Sequence, residues 1–267
     1  MNKLYFSQGI RDFKESLKFH QLVKILISLD IKRRYRRSFL GPFWTTISLS
    51  INILIVTSIF TSIGEGSIWT NLPYTAIGVL LWHFISTNAL ESCDTFIQAA
   101  TIIRQANAPI FVYIYRVIFR NLIFFLHNLI IIALIFVISP WHIGFNLFYA
   151  AAGFLFLLVN TFSLAILLSI FTARFRDVGQ LVTNILPILF YITPIIWKRG
   201  FTEIVSKMDA VMVFNPIYSS ISVVREPLLG HSVDIHCWYV VFFITPLLFI
   251  TSIYCYGKLS KRVAFWI

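Results

Sequence analysis

A dense cationic stretch, DIKRRYRRSFLGPFW at 30–44, lies directly before the first long apolar run of the chain. Five of its fifteen residues are Lys or Arg, and Gly41-Pro42 ends the charged part abruptly. Arginine suits phosphate binding because its planar guanidinium presents several donors in a fork. Basic residues beside an apolar run also fix the orientation of a membrane protein. The stretch therefore has two interpretations, an orientation signal and a binding site for an anionic group.

Motifs for catalysis are missing from the sequence. It contains no GxxxxGK[ST] phosphate loop and no HExxH, GxSxG or GxGxxG pattern. The cysteines, Cys93, Cys237 and Cys255, are too widely spaced for a metal-ligand pattern. Polar residues inside the apolar runs are scattered: His83, Asn88, His127, Asn128, Asn160 and Asn184. We therefore predict a chain with no catalytic residue, no metal site and no cofactor of its own.

The composition predicts an all-α integral membrane protein. The chain is 58% hydrophobic and 12% charged, whereas a soluble domain is about half apolar and a quarter charged. The net charge of +11 is concentrated beside apolar runs and is not spread over a polar surface. Anionic lipids and anionic substrates are therefore the expected partners, and nucleic acid is not.

Six apolar runs approach the roughly 20 residues that a helix needs to cross a bilayer. They are 43–63, 72–91, 112–138, 147–172, 180–197 and 237–257. Six spans place both ends of the chain on one side. Eighteen of the 22 Lys and Arg residues fall on that side. The positive-inside rule therefore predicts that both termini are cytoplasmic.

Two further segments are not ordinary loops. Residues 13–29 predict an amphipathic helix in the cytoplasmic interface, because Phe19, Leu22, Val23, Leu26 and Leu29 share one face. This helix belongs to a cytoplasmic N-terminal segment, 1–42, which precedes a six-span domain, 43–267. Residues 198–236 are too apolar for a solvated loop and are interrupted by Asn215-Pro216. We predict two short re-entrant helices there, at the outer mouth of a pathway.

Four motifs resemble the ABC-2 type polysaccharide-export permeases, the transmembrane subunits of O-antigen, capsule and teichoic-acid exporters. They are DIKRRYRRSFLGPFWTTI at 30–47, ARFRDVGQLV at 173–182, ITPIIW at 192–197 and FNPIYSSISVVREPLLG at 214–230. The resemblance covers nearly the whole chain in the same order. One departure is IIRQANAP, where the basic pair of the family is reduced to Arg104.

The resemblance implies a homodimer around a central channel in the inner membrane. It also implies a separate ATPase subunit in two copies, which would bind ATP and Mg²⁺, and a lipid-linked glycan substrate, with O-antigen as the leading expectation. This chain would then be a transport subunit and not an enzyme. The alternatives are an ABC-2 exporter of drugs or small lipids, and a membrane-embedded glycosyl- or acyltransferase. The lack of clustered acidic residues argues against the transferase.

The resemblance also assigns roles to residues. The lipid phosphate would meet Arg33, Arg34, Arg36 and Arg37. The entrance loop would contain Tyr35, Phe39, Gly41 and Pro42. Coupling to the ATPase would involve 92–109 and 173–179, with Arg104, Gln105, Arg174, Arg176 and Asp177. The outer gate would contain Asn215, Pro216, Tyr218, Arg225 and Glu226.

Overall fold

The computed structural model describes residues 2–63, 67–105, 109–138, 146–197, 212 and 214–267, and every regular element within them is a helix. The helices are α1 Asn2–Leu17, α2 His20–Arg34, α3 Phe43–Ile63, α4 Ile68–Gln98, α5 Ala100–Gln105, α6 Phe111–Ile138, α7 Leu147–Arg174, α8 Asp177–Ile192, α9 Pro216–Leu228 and α10 Ile235–Trp266. The predicted all-α class is confirmed for this part of the chain.

Four of these helices are long and apolar enough to cross a membrane. They contain Phe43–Ser62, Phe111–Ile138, Leu147–Arg174 and Ile235–Trp266. The chain is therefore a multi-pass helical membrane protein. The second predicted span falls in α4, which has 31 residues but contains His83, Asn88 and several hydroxyl side chains. The fifth falls in α8, which is apolar but has only 16 residues.

The single amphipathic helix predicted over 13–29 is wrong in its bounds. α1 ends at Leu17 and α2 begins at His20, and the turn between them is closed by hydrogen bonds from Lys18 and Phe19 to carbonyls of α1. Because the helical phase is interrupted there, the predicted apolar face is not continuous. In α2 the buried side chains are Val23 and Ile27, whereas Phe19 and Leu29 are exposed.

α1 crosses α10 at two glycines. A Cβ atom on Gly257 would lie 1.9 Å from the carbonyl oxygen of Tyr5, and one on Gly9 would lie 2.6 Å from that of Ile253. Such close backbone approach is possible only because both side chains are hydrogen atoms. The N-terminal segment therefore packs on the last long helix and does not stand apart from the bundle.

Aromatic rings join α1, α6, α7 and α10 in one buried cluster. Phe13 makes edge contacts with Phe111 and Phe162, at 5.7 and 5.8 Å between ring centroids. The ring of Phe111 stacks on that of Tyr256 with a centroid distance of 3.7 Å. Aromatic pairs of this kind stabilise beyond the area that they bury. The cluster holds these four helices together beside α2.

In the predicted outer segment the structure describes one helix, α9. Asn215 caps it by accepting hydrogen bonds from the backbone N–H groups of Ile217 and Tyr218. α9 is largely buried and packs on α7, where a Cβ on Gly153 would lie 2.5 Å from the carbonyl oxygen of Val223. The other predicted helix falls in 198–211, outside the described residues. α9 is thus part of the core and not a peripheral flap.

Candidate entrance site and groove

The predicted phosphate-binding arginines lie where α2 ends and α3 begins. α2 ends at Arg34, and α3 begins at Phe43, one residue after Pro42, as the sequence predicts. The loop between them is a structured turn, in which the backbone N–H of Gly41 donates to the hydroxyl of Ser38 at 3.0 Å. Arg37 adopts a φ of 64°, a left-handed conformation that residues other than glycine rarely take.

All four arginines are exposed, and no carboxylate among the described residues lies within ion-pair distance of three of them, Arg33, Arg36 and Arg37. Phe39, on the same loop, is 99% exposed. An exposed phenylalanine beside exposed arginines suits the boundary between lipid headgroups and acyl chains. The loop therefore has the chemistry of a headgroup contact.

Arg34 differs because it belongs to an arginine–carboxylate cluster, which consists of Asp30, Arg34, Glu91, Arg116 and Arg120. Arg34 Nη1 lies 3.2 Å from Glu91 Oε1, and Arg120 Nη2 lies 2.5 Å from Glu91 Oε2. Asp30 accepts from Arg120 Nη1 at 2.5 Å and from Arg116 Nε at 2.6 Å. The cluster joins α2, α4 and α6, and its three arginines and two carboxylates leave one net positive charge.

Asp30 is the most buried carboxylate of this cluster. Its burial raises its pKa, but the hydrogen bonds and positive charges of Arg116 and Arg120 outweigh that effect and hold the pKa below its ordinary value of 3.8. Asp30 is therefore ionised at neutral pH. The sequence analysis did not single out Asp30 or Glu91. The spacing of Arg116 and Arg120, four residues apart on one helix face, was a signal that counter-charges must lie nearby.

A small cavity of about 80 Å³, whose mostly apolar lining includes Arg34, lies between α3, α4 and α6. The polar residues of its lining include His83, Thr87, Asn121 and Asn128. The Oδ1 atom of Asn121 is buried without a hydrogen-bond partner, and its amide nitrogen donates to Asn88 at 3.2 Å. Buried polar groups are usually paired, so an unpaired acceptor marks a place for a water molecule or a ligand hydroxyl.

A larger space of about 740 Å³, the α3–α4–α8 groove, lies beside this cavity. Its aromatic lining is Trp44, Trp82, Phe190 and Tyr191, and its polar lining includes Ser48, Asn52, Ser86 and Thr183. Thr45 and His83 line both spaces, so the two are neighbours. The groove therefore begins beside the arginine-bearing entrance and follows three helices.

One wall of the groove, α8, has no buried residue along its whole length. Its exposed side chains include Leu181, Ile188 and Tyr191, and α3 exposes Ile51 and Ile55. Lipid or a second copy of the chain can cover such an apolar side in a membrane. The single chain alone does not enclose the groove.

The predicted coupling residues lie at the ends of α5 and α7. Arg104 donates a hydrogen bond to the backbone oxygen of Ile267, and the guanidinium of Arg174 lies 5.4 Å from the centroid of the Trp266 ring. Both predicted segments therefore contact the last turn of α10. Gln105, Arg176 and Asp177 are exposed.

The predicted outer-gate residues are mostly anchored. Arg225 is fully buried, and its Nη1 donates to the carbonyl oxygens of Pro194 at 3.3 Å and Ile195 at 3.1 Å. Glu226 lies 3.3 Å from Arg225 Nε. The Asn215 amide donates to the hydroxyl of Thr193 at 3.1 Å. Tyr218 is buried and Pro216 is exposed. These contacts attach α9 to the segment that follows α8.

Together these features define a helical membrane protein with a cationic loop close to a groove that is partly lined by aromatic rings. The sequence profile of the ABC-2 type transporter family matches residues 21–229. The chain therefore belongs to the ABC-2 type transporter family, and the resemblance noted in its motifs is confirmed. Membership of this family implies partnership with an ATPase subunit.

The similar curated proteins are permeases of that family. The chain is 26% identical over 215 residues to the O-antigen export system permease protein RfbA of Myxococcus xanthus, covering 79% of this chain and 81% of that protein. It is 25% identical over 249 residues to a protein of the same name from Klebsiella pneumoniae, covering 91% and 93%. The similarity thus extends beyond the family profile into the long C-terminal helix.

Proposed function

We propose that this chain is the channel-forming permease subunit of an ATP-driven exporter, which moves a lipid-linked polysaccharide of the O-antigen kind from the cytoplasm across the inner membrane. The observation that carries the proposal is the α3–α4–α8 groove, which begins beside the arginine-bearing loop. The names and coverage of the similar permeases support the glycan substrate.

The proposed channel forms between two copies of the chain. The groove is open along α3 and α8, and α8 exposes an apolar side. Two grooves that face each other would enclose one continuous passage. Flat aromatic faces such as Trp82 and Tyr191 offer apolar contact to sugar rings, and the hydroxyl and amide groups between them exchange hydrogen bonds with sugar hydroxyls. Such a lining holds a glycan loosely enough for it to slide.

The proposed topology has six spans, which are α3, α4, α6, α7, α8 and α10, with both ends of the chain on the cytoplasmic side. α8 rises about 24 Å, somewhat less than the roughly 30 Å of a bilayer core. Residues 193–197, of which 193–196 are buried, would extend it toward the outer side. This arrangement places the arginine-bearing loop at the cytoplasmic surface, where the positive-inside rule expects it.

At the entrance, Arg33, Arg36 and Arg37 are exposed and available to the phosphate or pyrophosphate of the lipid carrier, and Arg34 beside them is exposed but paired with Glu91. Forked charge-assisted hydrogen bonds would retain the headgroup. Phe39 would lie among the acyl chains. The glycan attached to the headgroup would then pass His83 and Thr45 into the groove.

Force for transport would come from two copies of an ATPase subunit that bind ATP and Mg²⁺. Their proposed contacts are α5 and residues 173–179, with Arg104, Gln105, Arg174, Arg176 and Asp177. Because both segments touch the last turn of α10, a push on either one would be transmitted to that helix.

The anchoring of α9 limits how the predicted outer gate would move. Since Arg225 is buried and bound to carbonyl groups after α8, α9 would move together with the outer end of α8 and not as a separate flap. A movement of this unit would widen or narrow the outer end of the groove. Cysteines that cross-link the outer ends of two copies should therefore stop export.

The function is tested by glycan export in cells that lack this chain and receive a variant of it. Pairwise replacement, Arg33→Gln with Arg34→Gln or Arg36→Gln with Arg37→Gln, should trap glycan in the cytoplasm while the dimer still inserts and binds its ATPase. Lys14→Gln with Lys18→Gln removes two exposed charges from the preceding segment and should leave export unchanged. Normal export in the arginine variants would overturn the entrance assignment. A normal glycan surface in cells without the chain would favour export of drugs or small lipids.

A further inference from the structure

Arg34 already has an anion bound to it. Among the four arginines proposed to meet the lipid phosphate, it is the one with a carboxylate within ion-pair distance in the described part of the chain. We propose that Glu91 is an internal competitor for Arg34, and that a phosphate-bearing headgroup displaces it and thereby releases the end of α2 from α4. This inference rests on the proposed function of the entrance.

The bond that would be exchanged is the weakest in the arginine–carboxylate cluster. Arg34 and Glu91 share one contact of 3.2 Å, and their side chains are 45% and 25% exposed. Partly exposed pairs with a single contact stabilise little, because water competes for both charges. Arg34 also has a cation–π contact with α6, since its guanidinium carbon lies 5.2 Å from the centroid of the Phe124 ring. It would therefore keep a contact with α6 when the carboxylate leaves.

Glu91 would not become an unpaired charge after the exchange. Its second oxygen, Oε2, lies 2.5 Å from Arg120 Nη2, and the side chain of Arg120 is only 12% exposed. Removal of one partner from a buried pair is normally costly, because the other charge is left without a partner. Here the carboxylate keeps Arg120, so the exchange at Arg34 avoids that cost.

Asp30 limits how far α2 would be released. It lies one turn before Arg34 and is bound to both Arg116 and Arg120 on α6. α2 therefore has a strong link to α6 at Asp30 and a weak link to α4 at Arg34. Loss of the weak link would leave the last turn of α2 and the loop 35–42 in contact with α6 alone, through the Phe124 ring, and free to move away from α4.

The chemistry of the site favours phosphate over carboxylate. A phosphate monoester carries up to about two negative charges and three acceptor oxygens, and it binds arginine in a two-pronged fashion. The cluster has one net positive charge, and the exposed Arg33, Arg36 and Arg37 add to it. An anion with more than one negative charge is attracted by all of these arginines, whereas the single charge of Glu91 is shared between Arg34 and Arg120.

The test measures phosphate binding by the full chain in nanodiscs of phosphatidylcholine. The lipid probe is a fluorescent short-chain phosphatidic acid. The soluble probe is inorganic phosphate, whose binding is measured by its competition with phosphatidic acid. Glu91→Gln should tighten phosphatidic acid binding about twofold to fivefold, the upper part of the range that loss of a partly exposed ion pair allows. Glutamine keeps an acceptor for Arg120. Asp94→Asn is the matched control, because Asp94 is exposed on the same helix three residues later and loses the same charge; it should change binding less than twofold.

Arg34→Gln should weaken binding, and adding Glu91→Gln to it should give no gain. If Glu91→Gln weakens binding or leaves it unchanged while Arg34→Gln weakens it, the competitor role is wrong and the phosphate site stands. If Arg34→Gln has no effect, the proposed phosphate role of Arg34 fails as well. If Glu91→Gln tightens the binding of both probes equally, the site binds phosphate in general. If it tightens the binding of phosphatidic acid alone, the site binds the lipid headgroup.

A second measurement does not depend on the fold of a Glu91 variant. Spin labels on cysteines at Lys32 and Asp94, both exposed, report the distance between the end of α2 and α4. Phosphatidic acid should lengthen or broaden this distance in the chain that retains Glu91. An unchanged distance at saturating phosphatidic acid would overturn the release of α2.

Discussion

The guanidinium carbon of Arg225 lies 3.7 Å from the centroid of the Tyr74 ring. Arg225 is fully buried, and a buried cation is tolerated only where other groups replace its water. The electron-rich face of Tyr74 on α4, two carbonyl groups after α8 and Glu226 beside it on α9 provide most of that replacement, and Nη2 of Arg225 is buried without a hydrogen-bond partner among the described residues. Two helices, α4 and α9, and the segment that follows α8 thus meet at one charged side chain.

Arg225→Ala should lower the free energy of unfolding by about 3–5 kcal/mol, because it leaves two buried carbonyl groups unpaired and opens a cavity. Arg225→Lys should cost less, since it keeps the charge but loses the flat contact with Tyr74. Denaturant titration of the detergent-purified chain measures both. Arg11→Ala removes an exposed arginine whose partner Glu15 lies one helical turn away, and it should stay within about 0.5 kcal/mol of the parent. An Arg225→Ala variant as stable as Arg11→Ala would contradict this account.

Asp30→Asn should lower the free energy of unfolding at neutral pH by about 3 kcal/mol, because charge-assisted bonds to Arg116 and Arg120 are lost. The pKa of Asp30 is lower in the folded state than its ordinary value of 3.8. Its contribution is therefore fully present above that value and is lost as the pH falls below it through the folded pKa. The unfolding midpoint should drop on acidification below about pH 4. Asp30→Asn should flatten this part of the profile, and Asp94→Asn should not.

Gly257→Ala should loosen α1 from α10, because the new Cβ would lie 1.9 Å from the carbonyl oxygen of Tyr5. Overpacking of this kind costs about 1–3 kcal/mol. Limited proteolysis should then cleave the α1–α2 turn faster. Gly179→Ala is the control, since its new Cβ would meet its nearest neighbour at 3.5 Å, an ordinary contact. Equal cleavage of the two variants would show that the glycine crossing is not needed for packing.

The features that the sequence predicted most accurately are helix boundaries that depend on local composition. Gly41-Pro42 correctly placed the start of α3 at Phe43, and the apolar run over 112–138 matches α6 within one residue. The sequence prediction failed at 13–29, where the chain breaks at Lys18 and Phe19 between α1 and α2, because the apolar periodicity runs through that turn without marking it. The pairing of Arg34 with Glu91 joins residues that are 57 positions apart.

The burial of Arg225 is a feature that the sequence analysis did not predict. It assigned Arg225 to a gate at the outer mouth, and that role stays a prediction; an Arg225-Glu226 pair within the largely apolar segment 214–229 was a signal for internal partners. The partners themselves, Tyr74 and the carbonyl groups of 194–195, lie in other helices and segments. Only the three-dimensional structure brings them together.

Tyr191→Ala should reduce glycan export several-fold without lowering stability. Tyr191 lines the groove on α8 and is 67% exposed, so its ring packs little against the rest of the chain and its loss leaves no cavity. In the proposed channel the ring is a stacking surface for sugar. Tyr239→Ala removes a similarly exposed tyrosine from α10, outside the groove lining, and should leave export intact. The two variants should unfold at the same temperature, so a difference in export reports on the groove and not on folding. Equal export in both would show that the glycan does not pass along α8.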